Sequence, residues 1–372
     1  MSSQSESFDV AVVGGGPIGL ACAWKAEERG ARVVVIDAGE PGAWHVAAGM
    51  LAPMSEVDFG EHAQLQLGLE SARRYEAFCA ALEEPGYRGV GTLVVARDRD
   101  EAEALDRLAE FRRGLGLPVE RLRPSQARRL EPALAPTVRL ALDIDSDHSV
   151  DPRMLVTALR RKVTHIWDAA RATALKVEGE RVTGVITPEG TVLADKVVVA
   201  TGVDSARLDM PDAARVPVRP VKGQVLRLRD PNGPGLVERT IRGEQAYFVP
   251  RGDGRYVLGA TMEERGWDVQ PTAGGVYELL RDMSELVPGV FELEIEELIA
   301  GLRPATPDNL PAIGPGALEG LYWATGHHRN GILLSRLSGE LAAAALCGEP
   351  LPGWAAAVDP ARFVPAMAEG RA

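Results

Sequence analysis

Two short stretches of this chain hold residue types at spacings that suit defined chemistry. The first is GGGPIG, with Gly14, Gly16 and Gly19 in the pattern G-x-G-x-x-G, followed by Asp37 eighteen residues after Gly19. Gly14 allows a tight turn, Gly16 leaves room for a pyrophosphate, and Gly19 lets the following helix pack close to its strand. The N-terminus of that helix, from Pro17 and Ile18, offers unpaired N–H groups and partial positive charge to the pyrophosphate. Asp37 can accept hydrogen bonds from the two hydroxyls of an adenosine ribose. Glycines alone would fit any glycine-rich turn; together with the acid they point to dinucleotide binding. The second stretch is GLRPATPDNLPAIG, residues 301–314. Arg303 precedes Pro304, so its backbone is held extended. A guanidinium on a stiff strand end can fork onto a carboxylate with two parallel hydrogen bonds. An arginine in a structural ion pair is the plainer alternative.

A third stretch, TGHHRNGILL at residues 325–334, places His327, His328, Arg329 and Asn330 between glycines. It is expected to open the last helix, running from Asn330 and Gly331 to Leu346. Backbone in such a loop can lie flat against a planar ring, and the helix N-terminus would place positive potential there. His327 and His328 are adjacent, face different ways and chelate poorly, so no metal site is expected. The other histidines, His45, His62, His148 and His165, read as surface or packing residues.

The elements that must position these residues follow from periodicity. Residues 9–13 and 31–36 are buried strands flanking a helix over 17–28. Helical spacing recurs over 61–82, 101–115 and 276–286, with a short helix at 125–130. Asp151-Pro152 is a helix start, with an acid at the N-cap and proline in the first turn. Short strands over 171–177, 181–187 and 191–193 form a meander, and 196–200 is a separate buried strand. Longer alternating strands at 224–229, 246–250 and 255–261 imply an antiparallel sheet, and a strand over 291–300 leads into Arg303. The expected fold class is α/β: a dinucleotide-binding Rossmann-like domain with an inserted antiparallel-sheet α+β substrate domain. The first would take residues 1–85, 146–216 and 300–372; the second would take 86–145 and 217–299, with a ligand cleft between them.

Composition narrows the partners. Net charge is −12 with no basic run, which argues against nucleic acid and anionic membrane surfaces. Cys22, Cys79 and Cys347 form no CxxC pair, and the apolar run from Val10 to Trp24 lacks a positive flank and is broken by glycines. A cytoplasmic protein is expected.

Nicotinamide and flavin compete for a G-x-G-x-x-G turn. A strand ending in Thr201-Gly202 after a meander, and a glycine-rich C-terminal return, suggest one extended cofactor touched by four distant segments, which favours FAD. A chain of motifs carries a more specific resemblance: GGGPIG, AAGMLAP, VDPR, VKGQ, YFVPR, GATME, GLRPATPD and GHHRNGILL occur in this order. Together they resemble the D-amino acid oxidase family of flavoproteins, in particular glycine oxidases of the thiamine-biosynthesis type, over nearly the whole chain. The chain departs from that pattern at Asp37, where glutamate is common, at Trp44 and His45, where small hydroxyl residues are usual, and at Asp204, where tryptophan is usual.

The resemblance implies that Arg303 binds a substrate carboxylate, with Tyr247 and Arg329 helping to shape the site. It implies non-covalent FAD contacted by the glycine turn, Asp37, Ala38, the backbone of Ala47, Ala48, Gly49 and Met50, by Ala174 on the first meander strand, and by His327, His328, Arg329, Asn330, Gly331, Ile332 and Leu333. The expected reaction is oxidation of glycine, or of sarcosine or a small D-amino acid, at the Cα–N bond. Hydride would pass to the flavin, electrons to O2, and the products would be glyoxylate, ammonia and H2O2. No catalytic acid or base is required if the amine binds neutral. A dehydrogenase with another electron acceptor is the alternative. The resemblance also implies a homo-oligomer, a tetramer.

Overall fold

The computed structural model describes residues 7–363. Its opening strand, Ser7–Val13, is buried from Val10 onward and lies between two parallel neighbours, Val33–Ile36 and Gly190–Val199. Burial on both faces is why these strands read as continuous β-branched runs. Ile166–Trp167 extends the sheet past Val33–Ile36. Leu321–Thr325 extends it past Gly190–Val199 and pairs antiparallel with Ala312–Pro315. Helices Pro17–Glu27 and Ser335–Leu346 cover one face through Leu20, Trp24, Leu337 and Leu341. The meander covers the other through Leu175, Val182 and Val185.

Two expected strands, 191–193 and 196–200, are one continuous strand, Gly190–Val199. Its first half pairs antiparallel with Arg181–Thr187 and its second half parallel with Ser7–Val13. Asp195, between the two expected strands, sits at an exposed position of this strand.

The second sheet has eight strands in the order Glu294–Ala305, Arg219–Arg229, Arg255–Gly259, Tyr247–Pro250, Thr240–Arg242, Thr92–Ala96, Leu140–Ile144 and Glu120–Leu122. It is antiparallel except where Thr240–Arg242 runs parallel to Thr92–Ala96, the seam between the two inserted pieces. Phe248 and Tyr256 stack at 4.7 Å on one of its faces, with helix Ala273–Ser284 packing there through Leu279 and Met283. Arg303 lies within the edge strand, opposite Val221. The expected boundary at residue 300 therefore falls inside a strand of this sheet. A small third sheet joins Met50–Leu51, His148–Val150 and Tyr87–Arg88.

The last helix begins later than expected. His328 adopts φ +46°, a 3-10 turn covers His328–Asn330, and the regular helix starts at Ser335. Its N-terminus is thus displaced along the chain from the histidines, and the loop itself rather than a helix end faces the site.

Candidate functional site

A cavity of about 1360 Å³ runs between the two large sheets. At one end is the glycine turn. Gly14 has φ +109°, and a Cβ there would lie 2.5 Å from the Ala200 carbonyl oxygen. A Cβ at Gly19 would lie 1.9 Å from the Gly14 carbonyl oxygen, so this glycine sets the helix approach and is not itself part of the lining. Gly16, Pro17 and Ile18 line the cavity, and the nearest atom to a Cβ at Gly16 is Trp44 Cδ1 at 3.3 Å. Asp37 stands at the tip of Val33–Ile36 beside Gly15, with Ala38 next to it in the lining. Its Oδ2 accepts from Arg160 Nη1 at 2.9 Å, and Arg160 also bonds Asp168.

The middle of the cavity is lined by Ala47, Ala48, Gly49 and Met50. This segment is tightly built in: Gly49 has φ +80°, and a Cβ on it would lie 1.9 Å from the Val150 carbonyl oxygen. Across from the glycine turn, residues 170–173 line the wall, whereas Ala174 starts the meander strand beyond it and is not part of the lining.

The far end holds Tyr247, Arg303, His328 and Arg329. Arg303 is half-buried. Its Nη1 donates to the carbonyls of Lys222 at 3.2 Å and Thr261 at 3.1 Å, and among the described residues no carboxylate forms an ion pair with it. Gly223 makes room for it, since a Cβ there would lie 2.4 Å from Arg303 Nη1. Burial pushes the Tyr247 hydroxyl pKa up, while the neighbouring Arg303 charge pulls it back. Arg329 is differently placed: its Nη2 donates to Glu61 Oε2 at 2.6 Å and to the Glu56 carbonyl at 3.2 Å. The structure thus brings Arg303, Tyr247 and Arg329 to one end; of the two arginines, Arg303 is the one without an acidic partner among the described residues.

His327, His328, Gly331 and Ile332 line the cavity; Asn330 and Leu333 are buried behind them. Desolvation drives His327 down to about 3 and His328 to about 4, the latter helped by Arg303, so both rings are neutral near pH 7. His327 Nε2 lies 2.8 Å from Ser338 Oγ. Helix His62–Ala80 braces the loop from behind: Tyr75 donates to the Ile332 carbonyl at 2.9 Å and Ser71 to the Leu333 carbonyl at 2.5 Å. Arg160, Thr261 and Glu56 also line the cavity. Arg160 and Glu56 gave no signal in the sequence, because each reaches it through a tertiary contact without a local pattern; Thr261 stood there only as part of GATME.

A glycine turn, an acid at the second strand tip and backbone segments from four distant parts of the chain around one elongated cavity define a dinucleotide-enclosing flavoprotein oxidoreductase. FAD fits these residues: the turn at Gly14 to Gly16 leaves backbone open to a pyrophosphate, and the cavity continues past Ala47 to Met50 to the half-buried guanidinium. The chain belongs to the FAD dependent oxidoreductase (DAO) family, which it matches over residues 9–345. It is 35% identical to a glycine oxidase of Geobacillus kaustophilus, over 91% of this chain and 93% of that one. It is 34% identical to the bifunctional protein ThiO/ThiG of a Synechocystis strain; that match covers 96% of this chain but only 54% of the longer protein. The crystal structure of the Geobacillus kaustophilus glycine oxidase superposes with a TM-score of 0.88 at 32% identity, covering 96% of this chain and 99% of that one. The chain is an FAD-dependent oxidoreductase. Among the described residues no helix is long and apolar enough to cross a membrane.

Proposed function

We propose that this enzyme oxidises glycine, or another small amine bearing a carboxylate, at the Cα–N bond with O2 as the electron acceptor. The observation that carries the reading is Arg303: a half-buried cation on the cavity wall with no acidic partner among the described residues. A desolvated guanidinium without a counter-charge is costly unless an anion completes it. A substrate carboxylate does so, and the carbonyls of Lys222 and Thr261 fix the fork that receives it. FAD supplies the acceptor for the hydride leaving Cα. Tyr247 lies beside Arg303 and borders the same space, so its hydroxyl helps to place the carboxylate. The neutral His327 and His328 add no charge that would compete for that anion. The amine reacts unprotonated, and hydrolysis of the imine gives glyoxylate and ammonia: glycine, O2 and water yield glyoxylate, ammonia and H2O2. Similarity to glycine oxidase and to ThiO/ThiG supports glycine as the substrate and thiamine (thiazole) synthesis as the destination of the product.

The test is peroxide formation by the purified holoenzyme with glycine, sarcosine and D-alanine, repeated with Arg303→Ala. Turnover of glycine that collapses at ordinary substrate concentration in the variant supports the reading. Dye reduction without peroxide replaces O2 by another acceptor, and unchanged glycine kinetics in the variant removes Arg303 from substrate binding.

A further inference from the structure

Three guanidinium groups stand behind the segment that lines the middle of the cavity. Arg251 has a side chain only 4% exposed; its Nη2 donates to the Ala48 carbonyl at 2.8 Å and its Nη1 to the Val150 carbonyl at 3.2 Å. Arg153 Nε and Arg227 Nη2 both donate to the His45 carbonyl, at 3.1 and 2.9 Å. Two carboxylates face these cations. Asp151 lies 3.6 Å from Arg251, and Glu297 lies 2.7 Å from Arg153 and 3.2 Å from Arg227. Three positive charges therefore meet two negative ones, and the surplus sits directly behind residues 45–49. Burial lowers the Arg251 pKa to about 10, which still leaves it charged.

A trans peptide sets its C=O and the next N–H in opposite directions. The Ala48 carbonyl turned to Arg251 therefore turns the Gly49 N–H away from it. Gly49 lines the cavity, its own carbonyl accepts from Val150 N at 2.9 Å, and among the described residues no acceptor is bonded to its N–H. Gly49 itself packs against Val150 and Pro152.

We infer that Arg251 is a positioning residue for the flavin: by clamping the carbonyls of Ala48 and Val150 it presents the Gly49 N–H to the cavity as a fixed donor and places positive charge behind it. This rests on the FAD-binding reading of the cavity and assigns a role to a residue that touches neither cofactor nor substrate. Fixed donors with charge behind them favour the electron-rich, reduced form of a bound ring over the oxidised form. Lysine keeps the charge but offers one rotatable nitrogen in place of two held in a rigid plane, so it fixes the two carbonyls less firmly. Methionine removes fork and charge together.

The experiment measures FAD dissociation constants and flavin midpoint potentials for wild type, Arg251→Lys and Arg251→Met, with circular dichroism and thermal unfolding of each apoprotein. Arg251→Met should bind FAD at least tenfold more weakly. It should also discriminate at least tenfold less in favour of the reduced form, which is a midpoint lower by about 30 mV. Arg251→Lys should lose the affinity but less than half of the potential. Variants that bind FAD like wild type, or a holoenzyme whose apoprotein is destabilised while its potential is unchanged, overturn the assignment. If Arg251→Met does not fold, the affinity of Arg251→Lys decides. Wild-type protein that fails to bind FAD would instead remove the reading of the cavity itself.

Discussion

Arg303 and Arg329 reach the same end of the cavity, and the difference between them lies in what already neutralises each one. Arg329 holds Glu61 at 2.6 Å, so removing it strands that carboxylate but takes little positive charge from the substrate. Arg303 meets the carbonyls of Lys222 and Thr261 and the Tyr247 hydroxyl but no carboxylate among the described residues, so its charge is available to a ligand. A charge-assisted pair of this kind contributes about 1.5–3 kcal/mol, and each 1.4 kcal/mol is tenfold in binding. Arg303→Ala should therefore raise the apparent KM for glycine by roughly 10–150-fold, whereas Arg329→Ala should change it by less than about tenfold; steady-state peroxide assays of the two variants give the ratio. If Arg329→Ala proves the more damaging, the carboxylate sits at the wrong arginine. The sequence made Arg303 legible because the following proline restricts its backbone and marks a stiff strand. It left Arg160 and Arg251 unread, because their partners Asp37 and Ala48 lie far away in the chain and no periodicity links such pairs.

At the scale of elements, the site depends on the first and last helices lying close together. Gly339 makes this possible: a Cβ there would sit 2.7 Å from the Ala21 carbonyl oxygen and 2.8 Å from its carbonyl carbon. These are backbone atoms of helix Pro17–Glu27 and cannot turn aside. Gly339→Ala should force the helices apart at a cost of about 1–3 kcal/mol despite alanine's better helix propensity. The movement should also weaken FAD binding, since the last helix follows the loop that carries His327 and His328. Thermal unfolding with and without FAD measures both effects, and a variant more stable than wild type would show that the helices have slack. The packing face of this helix was legible from Leu333, Leu337 and Leu341, but its start was not. Nothing local in His327, His328 or Arg329 reports that His328 takes up a left-handed backbone and delays the regular helix to Ser335. The same limit split Gly190–Val199 into two expected strands, because pairing to the opening strand carries the chain through an exposed aspartate. The glycine turn and its acid were legible because turn geometry is written in adjacent residues.

For the whole molecule, stability against pH sums groups in both halves, and two of them act in opposite senses. Buried His327 is neutral in the folded protein down to about pH 3, whereas an unfolded histidine takes a proton near 6.5. As pH falls below 6.5 the unfolded state gains a proton that the folded state refuses, so stability is lost at about 1.4 kcal/mol per pH unit. Asp147 lies in the turn between strands Leu140–Ile144 and His148–Val150, where its carboxylate accepts from Ser55 N at 2.6 Å and Met54 N at 3.2 Å, and burial raises its pKa to about 6. Between its ordinary value and pH 6 the folded state keeps a proton that the unfolded state has released, so this group is most favourable at low pH and loses stability as pH rises. Relative to His327→Gln, the wild-type apoprotein should lose roughly 2 kcal/mol between pH 6.5 and 4.5. Relative to Asp147→Asn, it should lose roughly 2 kcal/mol in the other direction, between pH 4 and 6. Denaturant unfolding of the three apoproteins across pH 4–7 separates the two terms, because other groups cancel in each difference. Parallel curves for wild type and His327→Gln would mean that the histidine is hydrated in the folded protein, and the neutral wall assigned to the far end of the cavity would have to be abandoned.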